Sequence, residues 1–170
     1  MTPISPRQSQ PAGLNPLTLS FDKIGELIDG TRWADGFAPR ELETLAHYFR
    51  AYEAAKDTKV VEEGAREAHL CLIARGKVTI YKASSDGDPK RIATNGVGRT
   101  FGEMSLVDGE PRSASVVAEE PTVLLMLTKE SFTRMTEEAP RLAVKILLKI
   151  AKLTSQRLRQ TSGVLVDHLA

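Results

Sequence analysis

A single cysteine, Cys71, stands among the 170 residues, so no disulfide can form within the chain and a reducing compartment is expected. Neither sign of charge dominates. Lys and Arg number 23 against 22 Asp and Glu, a net charge of +1. That balance argues against a surface built for nucleic acid, which needs clustered, uncompensated cations. No apolar run approaches the ~20 residues of a membrane span. The first residues also lack the basic patch and apolar stretch of a signal peptide. With 41% apolar residues in 18.6 kDa there is enough to fill one core. The expectation is a globular, cytoplasmic domain.

The organisation follows from changes of period. Residues 1–20 hold Pro3, Pro6, Pro11 and Pro16 among small polar residues, and this stretch reads as a flexible tail. Residues 21–170 read as one domain. Phe21, Ile24, Leu27 and Ile28 share a helical face before Gly30. A second helix starts near Pro39 and carries Leu42, Leu45, Ala46, Phe49 and Tyr52, giving helices over about 21–56. Short strands follow over about 59–128: 60–61, 69–74, 77–82, 91–93, 115–118 and 122–127, separated by glycine turns. This spacing predicts an antiparallel jelly-roll barrel, so the fold class is α+β with flanking helices. Helices return over about 129–168, and the one starting at Pro140 is long. Val144, Leu148, Ala151, Ser155, Leu158, Ser162, Leu165 and Leu169 form a heptad line on it, while Leu142, Ile146, Ile150 and Leu153 form a second apolar line. Two readings fit the heptad line: a homodimer through this helix, or a helix packed within a monomer.

The segment from Phe101 to Val116 carries the chemistry. Gly102 permits close backbone approach. Residues 103–106 suit one helical turn, whose first amides point outward. Nine residues after Glu103 comes Arg112, a planar fork suited to a pair of phosphate oxygens, with the Ser113 hydroxyl beside it. A carboxylate next to an anion site makes sense if the ligand also offers a hydroxyl. Glu103 would accept from a ribose while Arg112 and the amides hold the phosphate. The alternative, a Glu103–Arg112 surface ion pair closing a loop, would contribute little.

Phe101-Gly102-Glu103, Arg112-Ser113-Ala114 and Val116 resemble the phosphate-binding cassette of the cyclic-nucleotide-binding domain family. The stretch Leu72–Tyr81, with Gly76 in its turn, resembles the family's central hairpin. Val60–Gly64 and Gly98 also match. The resemblance runs from about Pro39 into the last helix. It is closest to stand-alone bacterial members, related to the sensor domains of cAMP receptor transcription factors and of cAMP-dependent kinase regulatory subunits. The resemblance implies that Gly102, Glu103, Met104, Ser105, Arg112 and Ser113 bind the ligand. Glu103 takes the ribose 2′-hydroxyl, Arg112 the cyclic phosphate, and the amides of Met104 and Ser105 complete the cradle. A Thr-Ser pair on the long helix touches adenine in bacterial relatives. Thr154-Ser155 and Thr161-Ser162 are both candidates, and Arg157, Thr161 and Ser162 form a candidate lid over the base. The implied ligand is cAMP, with cGMP next, and no further cofactor. The implied role is a regulatory module acting on a protein effector that the sequence does not name.

Competing classes fare worse. His47, His69 and His168 fall on separate elements and show no metal-ligand spacing, and Cys71 has no nucleophile context, so no catalytic constellation is found and an enzyme is not expected. A jelly-roll oxygenase would need two more histidines near His69. The charge is unevenly spread: residues 101–140 carry three bases against eight acids, residues 141–170 six against one. The basic last helix bears Arg141, Lys145, Lys149, Lys152, Arg157 and Arg159, which read as a solvated face. A transcription regulator of the cAMP-receptor type lacking its DNA-binding domain is one alternative, and a sensor of cyclic di-GMP another. A nucleic-acid or membrane partner is not expected. The length leaves room for a sensor without an output domain.

Overall fold

The Ser20 hydroxyl accepts a 3.2 Å bond from the Lys23 amide and so starts the first helix, α1, Phe21–Asp29. Pro39 occupies the first turn of α2, Pro39–Ala46, and the Glu41 carboxylate reaches back to the Ala38 amide at 2.7 Å. The computed structural model describes residues 13–169, with side chains to residue 164. Among the described residues there are nine strands: β1 Asn15–Leu17, β2 Arg50–Ala54, β3 Lys59–Val61, β4 His69–Arg75, β5 Val78–Ala83, β6 Pro89–Asn95, β7 Thr100–Phe101, β8 Ser115–Ala118 and β9 Thr122–Thr128. A short helix α3, Glu103–Asp108, interrupts them.

The strands pair antiparallel in two sheets, ordered β1-β2-β9-β4-β7 and β3-β8-β5-β6. One apolar cluster joins them. Cys71, Ile73, Phe101, Leu124 and Met126 come from the first sheet, and Val60, Val61, Val78, Val116 and Ala118 from the second. Cys71 and Ile73 of β4, two residues apart, face this cluster together, as a strand's period of two requires. At the β4–β5 turn Gly76 has φ +79°, and a Cβ there would overlap Thr122 and the Pro121 carbonyl. Only glycine closes that hairpin.

Two expectations change. The second helix stops at Ala46, and Arg50–Ala54 is a strand paired along its length with β9. Helical spacing and this strand's alternation coincide over a few residues, and pairing with a partner far along the chain decides between them. Part of the tail expected through Ser20 is also ordered into the fold. Leu14 is buried in the cluster and Asn15–Leu17 pairs with β2. Pro16 is tolerated because β1 is an edge strand, which needs donors on one side only. Residues 1–12 of that stretch lie outside the described residues.

Where one domain over 21–170 was expected, the chain groups into two compact units that divide after Thr128. The second unit holds α4, Lys129–Glu138, and α5, Pro140–Leu169, which pack on one another. Phe132, Met135, Leu142, Ile146 and Ile150 are buried, while Val144, Leu148 and Leu158 of the heptad line are exposed. The side chains of Leu165, His168 and Leu169 lie outside those described.

Candidate functional site

Gly102 connects β7 to α3 with φ +79°, in the left-handed region. A Cβ at this position would overlap both the Arg112 guanidinium and the His69 carbonyl oxygen. The glycine therefore lets the start of α3 lie directly on Arg112. At the other end of α3, Gly109 is also left-handed, and its amide donates to the Ser105 carbonyl at 3.0 Å.

Arg112 is 4% exposed. Its Nη1 donates to the carbonyls of His69 at 2.9 Å and Gly102 at 3.1 Å. Among the described residues its Nε and Nη2 have no hydrogen-bond partner. Its main chain is fixed on both sides, the amide donating to Ala65 O and the carbonyl accepting from Gly64 N, each at 2.8 Å. Burial lowers the pKa of the guanidinium, an effect opposed by the nearby Cys71 and Glu67. It remains a cation, because arginine does not deprotonate in proteins. A buried cation with two unsatisfied donors is costly unless an anion meets them. Glu103, at 2% exposure, is buried beside it and is engaged within the fold.

The remaining cassette residues fall in the same region. Ser105 is buried and Met104 half exposed on α3. Ser113 is exposed, and its carbonyl accepts from Lys82 Nζ at 2.6 Å. So the structure brings Gly102, Glu103, Met104, Ser105, Arg112 and Ser113 onto one segment, with Gly102 and Arg112 in direct contact. Arg157, Thr161 and Ser162 are placed on α5 of the second unit, all exposed. There the Thr161 hydroxyl donates to Arg157 O at 3.0 Å, an ordinary bond within a helix. Thr154 does the same to Ile150 O at 3.0 Å.

Three supporting residues were not singled out from the sequence. His69 is 5% exposed and holds Arg112 through its backbone carbonyl. Burial first, and the charge of Arg112 second, push its imidazole pKa down to about 3, so it is neutral. Glu63 and Lys82 lock the far limb of the cassette. Lys82 Nζ bridges Glu63 Oε1 and Ser113 O, both at 2.6 Å, while Glu63 Oε2 accepts from Ala83 N at 2.9 Å. The Glu63 amide also donates to Ser115 Oγ at 2.9 Å. Hydrogen bonding from Ala83 and Lys82 holds the Glu63 carboxyl below its usual range. A carboxylate in a turn and a lysine on a strand carry no sequence signal for this role. Cys71 is a core thiol, its pKa pushed up to about 12 by burial.

The sequence pattern described as cyclic nucleotide-binding domain matches residues 52–139, more than half of the chain. The chain belongs to this family. The cyclic AMP receptor protein of Thermus thermophilus is 34% identical over 133 residues, 78% of this chain and 60% of that protein. A cAMP-dependent protein kinase regulatory subunit of Emericella nidulans is 32% identical over 89 residues, 48% of this chain and 22% of that one. Among solved structures, a cyclic nucleotide-binding domain from Methylobacillus flagellatus superposes with TM-score 0.81 at 29% identity, covering 95% of this chain and 93% of that one. The chain spans only 60% and 57% of the lengths of the first two curated relatives. Cyclic-nucleotide sensing is thus the activity of the family in which these residues are found. Among the described residues no helix is long and apolar enough to cross a membrane.

Proposed function

We propose that this chain binds a cyclic mononucleotide, cAMP in preference to cGMP, and acts as a ligand-switched regulatory module on a protein partner. The observation that carries the reading is Arg112, a buried fork whose Nε and Nη2 are unsatisfied by the protein. The cyclic phosphate would take these two donors in a bidentate pair. The 2′-hydroxyl of the ribose would donate to Glu103, and the first-turn amides of Met104 and Ser105 would complete the cradle. Ser113 would add a hydroxyl to phosphate or base, and Arg157, Thr161 and Ser162 are the candidate lid. The preference for cAMP is supported by the names of relatives that include a cyclic AMP receptor protein and cAMP-dependent kinase subunits. Similar segments also occur within longer proteins named Glutaminase 2 and Acetyltransferase Pat, which fits a module that serves different outputs. The exposed Val144, Leu148 and Leu158 support a homodimer through α5.

Calorimetry on protein freed of carried-over nucleotide tests the ligand. The expected result is micromolar or tighter binding of cAMP, weaker binding of cGMP, and none of cyclic di-GMP. No heat with either mononucleotide would refute the reading.

A further inference from the structure

Away from the cassette, α1 and α2 enclose a groove of about 490 Å³. Its walls are of two kinds. Phe21 and Leu42 give it an apolar lining, and Asp22, Glu26, Asp29 and Glu43 surround it with carboxylates. Among the described residues no lysine or arginine lines it. Among the described residues Glu26 is the one of these four acids in an ion pair, with Lys23 at 2.7 Å and both groups exposed. Such a pair is worth little and yields readily to another cation. Asp22, Glu26 and Asp29 recur at i, i+4 and i+7, so they form a row roughly 10 Å long on one face of α1.

The apolar part is equally organised. Phe21 stacks on His47 with ring centroids 4.0 Å apart, yet 51% of its surface stays exposed. Gly25, in mid-helix, also lines the groove. A Cβ there would meet Ala46 Cβ and Leu42 O only at 3.9 Å, ordinary contact, so internal packing does not demand a glycine. A residue that weakens the helix and is not required by its neighbours keeps this wall open.

From this juxtaposition we infer that the α1–α2 groove docks a cationic amphipathic helix of a partner protein. An aliphatic side chain would enter beside Phe21 and Leu42, and lysines or arginines spaced i, i+4, i+7 would meet the row of carboxylates. Charge complementarity selects the partner and the apolar lining supplies the anchor. The mode is a helix laid in a groove. The surface lies wholly in the first unit and is independent of the ligand reading.

The test uses the full chain and a fluorescent, alanine-based helical peptide with three lysines at i, i+4, i+7 beside two leucines. Anisotropy is expected to show saturable binding that weakens as salt is raised. A peptide with glutamates for the lysines, and one with serines for the leucines, should each bind at least tenfold more weakly. The variant Asp22→Asn/Glu26→Gln/Asp29→Asn should lose at least tenfold as well, with circular dichroism and melting temperature unchanged, since all three side chains are exposed. Phe21→Ser should lose a similar factor. Equal binding by the acid-substituted protein, or no binding of the lysine peptide, would overturn the inference. Full displacement by an equal concentration of spermidine would also overturn it, in favour of a small polycation.

Discussion

Replacing Arg112 by methionine separates a structural arginine from one held ready for an anion. The wild-type side chain makes two internal hydrogen bonds, from Nη1 to His69 O and Gly102 O. Losing them costs about 1 kcal/mol each. Against this, the substitution removes a desolvated charge whose burial costs several kcal/mol when it is incompletely paired. The two effects nearly cancel, so the ligand-free variant should melt within about 8 °C of the wild type, corresponding to about 2 kcal/mol. Binding behaves differently. The two unsatisfied donors, Nε and Nη2, would each make a charge-assisted bond worth about 1.5–3 kcal/mol. Losing both weakens the nucleotide by more than about 100-fold. In a thermal melt, cAMP at ~100 times its Kd stabilises the wild type by about 2.7 kcal/mol, a shift of roughly 5–11 °C. The variant should show no shift at the same concentration. A ligand-free variant that melts far lower would mean that Arg112 mainly supports the fold. A variant that still responds to nucleotide would mean that the phosphate sits elsewhere.

Three further outcomes follow from other parts of the molecule. His69 has a folded pKa near 3 against about 6.5 when unfolded, so the unfolded chain takes up the proton first on acidification. The stability due to its neutral form is complete above about pH 6.5 and falls as the pH drops towards 3, by about 2 kcal/mol at pH 5. Urea titrations at neutral pH and at pH 5 should show a smaller difference in His69→Gln, and an unchanged difference would reject this assignment. Lys82→Met should weaken cAMP several-fold with little change in melting temperature, because it frees the Ser113 carbonyl while leaving the core intact; unaltered affinity by calorimetry would show that the lock is not needed. Light scattering should give twice the monomer mass for the wild type and the monomer mass for Leu148→Glu, an exposed position. A wild-type monomer at high concentration would remove the dimer.

The cassette was legible in the sequence because its requirements are local. Gly102 must adopt a positive φ and admit a guanidinium against its Cα. Glu103 and Arg112 are the residue types that a sugar and a phosphate call for. The strands β3 to β6 were legible because glycine turns lie between them, and β8 and β9 because their β-branched and aliphatic runs are broken by Glu119-Glu120-Pro121. What escaped depends on distant partners. Arg50–Ala54 becomes a strand through β9, more than sixty residues later, and Asn15–Leu17 through β2. Nothing in either stretch marks that pairing, and Pro16 pointed away from it. The role of His69 was hidden for another reason: it is played by a carbonyl, which every residue has. The lid residues of α5 are exposed on a unit of their own, and their part rests on the proposal above.

The two glycines that bracket α3 are unlike in one respect. Gly102 is hemmed in by Arg112 and the His69 carbonyl, whereas a Cβ on Gly109 would meet nothing within 4 Å. The six residues between them are therefore tightly constrained at Gly102, while the backbone at Gly109 has open space beside it. The limb from Arg112 to Ser115 is tied to the frame through Gly64, Ala65, Glu63 and Lys82. A displacement of the guanidinium would act first on the Gly102 end of α3, where the two are in contact. Met104 and Val107, both about half exposed on α3, are the apolar side chains whose position would follow.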